Sequence, residues 1–322
     1  CARAGIVAYP TREWGECIWA YLGPTEAMPP LPELEFAVLP ASHRYVSKKL
    51  QECNWAQAAE GAIDTAHFSF LHNPVGEAAM ARLPAGYAEQ VRWMQSDSTP
   101  RYTTREHGAG LILAGGRHAN AGDTYWRVAQ YLMPNHSLAP AGGPGQTIHG
   151  QTWVPIDDVS CWVFTYSWNP ERPLSDQERA SYAAGGAIHA EMGANFVPVR
   201  NRANDYDIDR DLQRRESFTG IKGISEQDAA IQDSQGLIHD RTREMLGPTD
   251  VGVVTFRMLM LKSARDLEAG QAPAAAENAA AYRVRSGHTV ASDDVPFDDV
   301  MVRRFGHVHG RVDLAAPAEA AE

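Results

Sequence analysis

Hydrophobic and polar residues alternate along five segments in the middle of the chain. Each segment is rich in aromatic and β-branched residues, and stretches containing glycine, asparagine or aspartate separate one segment from the next. Alternation of this kind is typical of strands that bury one face. The pattern therefore predicts an antiparallel meander with strands at 101–107, 110–118, 124–133, 146–156 and 161–168.

Apolar residues recur at helical spacing through residues 54–72. Pro74 ends this pattern, and Gly61 is expected to break the helix. Helical patterns return in the last third of the chain, and strand-like patterns lie near both ends. The predicted helices are 175–192, 225–235, 237–246 and 249–269, and the predicted terminal strands are 5–10, 16–23 and 299–312. A central sheet followed by long helices indicates an α+β fold.

A proline-rich segment separates the first strands from the rest of the chain. Five prolines between residues 24 and 40 disfavour both a helix and a central strand there. We therefore expect a linker that ends near residue 40, a main domain over residues 41–312 and a frayed tail at 313–322.

Composition and charge exclude several classes of protein. The 322 residues are 44% hydrophobic, which is enough for a large core. The net charge of −11, with never more than two consecutive basic residues, excludes an ordinary nucleic-acid-binding surface. The chain contains neither an apolar run long enough to span a membrane nor a signal-peptide pattern, which predicts a cytoplasmic protein. Its four cysteines are far apart, which predicts free thiols.

Three polar residues stand out inside the otherwise apolar segment 60–74. Asp64, His67 and His72 could contribute to a metal site, because two imidazoles and a carboxylate hold Fe(II) with coordination positions left open. Zinc accepts similar ligands. His67 and His72, however, lie five residues apart and point about 140° away from each other on a regular helix. If both bind one ion, the helix must be distorted between them.

The alternative is a structural role for the same residues. A histidine hydrogen-bonded to a carboxylate at a helix end can simply satisfy its own polar groups in a half-buried position. The spacing alone leaves both interpretations open.

Longer motifs carry a family resemblance. The run NWAQAAEGAIDTAHFSFLH, residues 54–72, resembles the iron-binding segment of the large (alpha) subunits of Rieske non-heme iron aromatic ring-hydroxylating oxygenases. AYPTRE and IWAYLGP resemble the end of the Rieske domain in the phthalate 4,5-dioxygenase-like group of that family. YWRVAQYLMP resembles a strand of its catalytic sheet, and 204–236 with 240–250 resemble its C-terminal signature. These matches follow the family's order from about residue 7 to residue 270.

The resemblance implies a fold and a set of site residues. The fold is a helix-grip (START/Bet v1-like) domain, in which a curved antiparallel sheet packs against a long C-terminal helix. His67, His72 and Asp228 would bind a mononuclear Fe(II). Asp64 would not be a ligand but the bridge that carries electrons from a neighbouring subunit's Rieske cluster to His67. A carboxylate on the outer nitrogen of a ligating histidine also fixes its tautomer.

The third ligand has two alternatives. Ser225 and Asp228 fit a capping box at the start of a helix, which would give Asp228 a structural role instead. Asp233, one turn later, is the second candidate for the carboxylate ligand.

The resemblance also implies cofactors and partners. A [2Fe–2S] Rieske centre is held by CxH and CxxH pairs, and neither pair occurs in this chain. We therefore expect residues 1–40 to be the remnant of a Rieske domain with its linker, and residues 41–312 to be the mononuclear iron domain. In the whole enzyme a reductase would supply electrons from NAD(P)H, and the subunits would form a homotrimer.

The implied reaction is hydroxylation of an aromatic, carboxylated substrate with O2. An arginine facing the iron would bind the carboxylate, and the candidates are Arg92, Arg117 and Arg127. Two alternatives stay open. One is an O-demethylating or ether-cleaving monooxygenase of the same family, and the other is a non-catalytic helix-grip protein that binds small molecules.

Overall fold

The computed structural model describes residues 8–83, 85–143 and 145–305. Within these residues, ten strands form a hairpin and an eight-stranded antiparallel sheet. The strands are β1 Thr11–Trp14, β2 Cys17–Ala20, β3 Arg44–Gln51, β4 Arg101–His107, β5 Gly110–His118, β6 Asp123–Leu132, β7 His136–Leu138, β8 Ile148–Pro155, β9 Cys161–Trp168 and β10 Gly287–Ser292.

Ten α-helices surround the sheet in the described part of the chain. They are α1 Glu35–Val38, α2 Trp55–Ile63, α3 Glu77–Met80, α4 Ala85–Ser96, α5 Asp176–Ala183, α6 Arg210–Arg215, α7 Ile224–Ser234, α8 Val251–Glu268, α9 Ala274–Glu277 and α10 Phe297–Phe305. Short 3-10 turns lie at Thr25–Ala27, Ala41–His43, His67–Ser69, Ala194–Phe196, Arg202–Asp207, Arg241–Arg243, Pro248–Asp250 and Ala279–Tyr282.

The large sheet has the order β3-β9-β8-β7-β6-β5-β4. Strand β10 pairs with the first part of β6, and β7 pairs with its last part. All five strands predicted from alternation are present, so the predicted meander and the α+β class are confirmed. The pattern did not predict β3, because its inner face is polar: Lys49 is only 5% exposed and faces inward. The first hairpin is shifted along the chain, with its turn at Gly15 and Glu16, which both have positive φ. Part of the predicted strand 5–10 lies outside the described residues.

Two of the predicted helices are confirmed by α7 and α8, and α5 is shorter than predicted. The predicted helix 237–246 is wrong, since that segment contains only the turn Arg241–Arg243. The predicted strand 299–312 is also wrong within its described part. Residues up to Phe305 form α10, because Met301 and Phe305 lie one turn apart and both are buried. The pattern did not indicate α4, and the predicted tail at 313–322 lies outside the described residues.

The main core lies between the inner face of the sheet and the long helix α8. Val253 and Phe256 of α8 join a cluster with Leu113 and Tyr131, and the rings of Phe256 and Tyr131 meet edge to face at 4.7 Å. Gly252 allows this close packing, since a Cβ there would lie 2.9 Å from Leu113 Cδ2. A smaller cluster places α10 against Ile112, Ala114 and Val128 on the sheet.

The proline-rich segment is packed onto the domain. A four-residue helix, α1, fits between Pro32 and Pro40, which corrects the expectation that prolines would prevent any helix there. Phe36 is 2% exposed and stacks on Tyr166 at 4.0 Å. The side chain of Glu35 is buried and accepts hydrogen bonds from Arg285 Nε at 3.0 Å and Trp168 Nε1 at 2.9 Å. Within the described residues, no helix combines the length and apolar character needed to cross a bilayer.

The ion pair between the buried carboxylate of Glu35 and the half-buried guanidinium of Arg285 gives a testable prediction. Arg285→Ala should lower the free energy of unfolding by about 3 kcal/mol or more, because it leaves a buried carboxylate without its cation. Arg105→Ala is the control. It breaks a pair with Asp298 whose side chains are 42% and 53% exposed, and it should cost less than about 1 kcal/mol. Urea unfolding measures both, and equal losses would contradict the prediction.

Candidate metal centre

Helix α2 ends before it reaches either histidine. Asp64 leaves the helical conformation with φ −78° and ψ 133°, and a separate turn, His67–Ser69, follows. The carboxylate of Asp64 accounts for this change, because it accepts the backbone N–H groups of Ala66 at 2.7 Å and His67 at 3.1 Å. The backbone is irregular around the histidines, as predicted. The prediction of one helix reaching His72 is wrong, since the helix has already ended at Ile63.

Gly61 does not break α2, which corrects a second expectation. A Cβ at this position would lie 2.4 Å from Nε2 of Gln232 on α7. Because α2 and α7 approach each other closely, a side chain here would displace that amide from the hydrogen bond that it donates to the backbone oxygen of Ala58. This close approach brings α7 up to the histidines.

Three predicted ligands converge where α7 meets the turn after α2. Nε2 of His67 lies 3.1 Å from Nε2 of His72 and 3.6 Å from Oδ1 of Asp228. Nε2 of His72 lies 3.1 Å from the same Oδ1. Among the described residues, these three form a group whose ligand atoms all lie within 4.8 Å of one another. The residues come from chain segments more than 150 positions apart.

The two alternatives for the carboxylate are not supported. Helix α7 starts at Ile224 with Gly223 as its N-cap, so Ser225 lies inside the helix and does not cap it. Its hydroxyl instead accepts a hydrogen bond from Nζ of buried Lys49 at 2.7 Å. Asp233 lies away from the histidines and accepts a hydrogen bond from the hydroxyl of Tyr206.

The outer nitrogens of both histidines face acceptors. Nδ1 of His67 lies 3.0 Å from Oδ2 of Asp64, and Nδ1 of His72 lies 2.8 Å from Oε1 of Gln227. These partners assign the proton of each neutral ring to Nδ1. Both Nε2 atoms and Oδ1 of Asp228 are then acceptors that face one another. Such lone pairs repel unless a positive charge lies between them, so the donor set fits a divalent metal ion.

The ionisation states of the nearby carboxylates favour a positive charge between the three side chains. Burial would raise the pKa of Asp64, but hydrogen bonds from His67 and Tyr102 lower it well below the usual range. Burial would also raise the pKa of Asp228, but the adjacent imidazoles of His72 and His67 lower it. Both carboxylates are therefore anionic at neutral pH. Burial would lower the pKa of His67, yet the hydrogen bond to Asp64 raises it overall, as expected for a site that attracts positive charge.

Sequence analysis missed two residues that hold these side chains. The hydroxyl of Tyr102 on β4 donates to Oδ1 of Asp64 at 2.7 Å and accepts the N–H of Thr65 at 2.6 Å. No local pattern marks Tyr102, which lies 38 residues beyond its partner. Gln227 had one available signal, its place directly before Asp228 in the motif.

The three candidate arginines differ in what they contact. Arg117 is fully buried, and backbone oxygens of Thr65 and Asp97 accept its hydrogen bonds at 2.6 and 3.1 Å, so it supports the turn before His67. Arg92 is exposed on α4. Arg127 is 3% exposed, and its guanidinium carbon lies 4.1 Å from the ring centre of Phe68.

The guanidinium group of Arg127 leaves hydrogen-bond donors unused. Its Nη1 lies 3.4 Å from the hydroxyl of Tyr125, whereas its buried Nε and Nη2 have no hydrogen-bond partner among the described residues. The Phe68 ring that it covers lies 4.6 Å from the ring of His67 and 4.7 Å from the ring of His72. A cation with unused donors therefore lies beside the two histidines predicted to be ligands.

A cavity of about 480 Å³ opens beside Asp64, His67 and Asp228. An ion network holds one side of its rim. Arg257 of α8 donates to Glu60 at 2.8 Å and to Glu244 at 2.6 Å, so the segment that was predicted to be a helix is instead tied to α2 and α8.

The chain is similar to several known proteins. The family model described as LigXa C-terminal domain like matches residues 20–304. The phthalate 4,5-dioxygenase oxygenase subunit of Pseudomonas putida is 32% identical over 311 residues, with 94% of this chain and 70% of that protein covered. The 3-chlorobenzoate-3,4-dioxygenase oxygenase subunit of Comamonas testosteroni is 32% identical over 318 residues, with 93% and 72% covered. A crystal structure of dicamba monooxygenase bound to dicamba matches with a TM-score of 0.48 and 15% identity, with 82% and 71% covered.

The match to the family model covers most of the chain, and the two relatives exceed 30% identity over nearly all of it. These similarities define the protein as the oxygenase part of a ring-hydroxylating system. The chain belongs to the large (alpha) subunits of the Rieske non-heme iron aromatic ring-hydroxylating oxygenases, in the phthalate 4,5-dioxygenase-like group. The family resemblance and the enzyme class expected from the sequence are thus confirmed. The family implies non-heme iron and electrons supplied by a reductase.

The rim network gives a pH-dependent prediction. Hydrogen bonds from Arg257 lower the pKa of Glu244 to about 2, whereas an unfolded glutamate titrates near 4.3. The stabilisation is therefore present above about pH 4.3 and is lost as the pH falls towards 2. Glu244→Gln should lower the free energy of unfolding by about 1.5–3 kcal/mol at pH 7, and this difference should shrink below pH 4.

Urea unfolding between pH 7 and pH 3 measures this difference. Glu268→Gln, at an exposed position at the end of α8, is the control and should change stability little at any pH. A Glu244→Gln effect of constant size across this range would contradict the prediction.

Proposed function

We propose that His67, His72 and Asp228 hold one Fe(II) and that the chain is the catalytic part of an oxygenase that hydroxylates an aromatic acid. The observation that carries the proposal is the convergence of two Nε2 atoms and one carboxylate oxygen within 3.1–3.6 Å, with no proton assigned among them. Two imidazoles and one carboxylate leave coordination positions open. Fe(II) bound there supplies a place where O2 can bind and be reduced next to the substrate.

Neighbouring residues orient the side chains that would bind the metal. Asp64 keeps the proton on Nδ1 of His67, which leaves Nε2 free to bind the metal. Tyr102 orients Asp64 from the sheet. The side chain of His72 is 1% exposed, so water is excluded from one side of the site.

Asp64 also fits the role of an electron bridge. Its side chain is 26% exposed and borders the open cavity, while its other side touches His67. A histidine of a neighbouring subunit's Rieske cluster would reach Asp64 through that cavity. This role requires a homotrimer, a [2Fe–2S] cluster in the whole protein and a reductase that uses NAD(P)H. The proposal further assigns residues 1–40 to the end of a Rieske domain with its linker and residues 41–312 to the iron domain.

Arg127 is the residue we propose for substrate binding. Its two unpaired guanidinium nitrogens are buried beside Phe68, next to both histidines. A carboxylate would supply the missing acceptors in a charge-assisted contact, with its aromatic ring towards the iron. The names of the two relatives refer to phthalate and 3-chlorobenzoate, which are both aromatic carboxylates. Arg117 contacts only protein groups in this scheme, and Arg92 faces away on α4.

Metal binding tests the ligand set. Anaerobic protein titrated with Fe(II) should bind one ion per chain, and His67→Ala, His72→Ala and Asp228→Ala should each abolish stoichiometric binding. Asp64→Asn should still bind iron, with affinity lowered by about tenfold, because the amide oxygen still accepts from Nδ1. In the whole enzyme, Asp64→Asn should lose electron transfer to the iron.

The outcomes separate the alternatives. Asp211→Asn, at an exposed position on α6, is the control and should bind iron like the wild type. Loss of iron in Asp64→Asn with retention in Asp228→Ala would show that ligand and bridge are exchanged. Tight binding of an aromatic acid by protein that binds no iron would favour a non-catalytic binding protein.

Substrate binding tests Arg127. Arg127→Gln should weaken the binding of 3-chlorobenzoate to the iron-loaded protein by about 10- to 150-fold, the cost of one charged hydrogen bond. Binding of 3-chlorobenzamide, which has no charge, should change much less. Arg92→Gln is the control. Calorimetry measures both ligands, and equal losses for the acid and the amide would contradict a role in binding charge.

A further inference from the structure

Two consecutive residues of α7 hold the imidazole of His72 at both ring nitrogens. Nε2 lies 3.1 Å from Oδ1 of Asp228, and Nδ1 lies 2.8 Å from Oε1 of Gln227. Adjacent residues of a helix point about 100° apart, so one reaches the inner edge of the ring and the other reaches its outer edge. Since the His72 side chain is 1% exposed, water does not compete for either nitrogen.

The amide of Gln227 is itself fixed in orientation. Its Nε2 donates to the backbone oxygen of Ile221 at 2.8 Å, and the residue is 9% exposed. This contact turns the amide oxygen, and not the amide nitrogen, towards His72. An oxygen at Nδ1 requires the proton on that nitrogen and leaves the lone pair on Nε2.

The partners of the two histidines differ in charge. His67 has the carboxylate of Asp64 at its Nδ1, whereas His72 has a neutral amide. With Asp228, the site contains two carboxylates, which balance the charge of one divalent cation. A third carboxylate in place of Gln227 would leave a net negative charge in a half-buried site, and removal of the amide would leave Nδ1 of His72 without an acceptor.

We propose that Gln227 is a positioning residue of the metal centre. It fixes the Nδ1–H tautomer of His72, so that Nε2 faces the metal, and it does so without adding charge to the site. This inference rests on the proposed function, because it assumes that His72 binds a divalent metal.

Gln227→Met tests the inference, since methionine keeps the approximate shape and removes both hydrogen bonds. Its Kd for Co(II), followed by the visible absorption of the bound ion, should rise by about 10- to 100-fold. In the metal-free protein, the ¹⁵N NMR signals of the His72 ring should change from the Nδ1–H tautomer to a mixture. Gln235→Met, at an exposed position just beyond α7, is the matched control and should change neither quantity.

Gln227→Glu separates positioning from space filling. A glutamate still offers an oxygen to Nδ1 of His72, so the tautomer should be retained and the Kd for Co(II) should stay closer to that of the wild type than to that of Gln227→Met. Wild-type tautomer and affinity in Gln227→Met would overturn the inference. Equal weakening in the Met and Glu variants with an unchanged tautomer would also overturn it. Wild-type protein that binds no Co(II) would instead overturn the proposed function itself.

Discussion

The contact between α2 and α7 is the constraint on which the site depends, because the histidines follow one helix and the carboxylate lies on the other. Gln232 of α7 makes two hydrogen bonds across this contact, since its Nε2 donates to the backbone oxygen of Ala58 and its backbone oxygen accepts from Gln57. Its Oε1 accepts a third bond from Gln51 at the end of β3. All three glutamine side chains are buried. Breaking any of these bonds would leave a polar group unpaired away from water. The two helices are therefore held at one separation, and Asp228 lies beside His67 and His72 although it is distant from them in sequence.

The inner face of the sheet supports the same site from the other side. Tyr102 of β4 orients Asp64, Arg117 of β5 holds the turn at Thr65, and Arg127 of β6 lies over Phe68. Three neighbouring strands thus each contribute one long polar side chain to a single short segment. This arrangement explains why segment 64–72 keeps a defined shape although it is neither helix nor strand. The sheet fixes the positions of the imidazoles, and α7 contributes the amide and the carboxylate that contact them.

Local patterns predicted the features that depend on neighbours in sequence, namely the five strands of the meander and the helices α7 and α8. They failed where contacts between distant residues determine the backbone conformation. Residues 237–246 have helical spacing, but Arg241 forms an ion pair with Glu60, and Glu244 forms one with Arg257. The site divides in the same way. Asp64, His67 and His72 could be proposed from one segment, whereas Asp228 required the family motif. Gln227, 155 residues from its partner, has a role that only the folded chain reveals.

The geometry of the site depends on Gly61, a position on α2 that has no side chain. Its missing side chain lets α7 approach α2, and the distance between these helices sets how far Asp228 stands from the two imidazoles. A methyl group at this position would displace the Gln232 amide, and with it one of the hydrogen bonds that join the two helices. The spacing of three polar side chains is thus set in part by a position that has no side chain of its own.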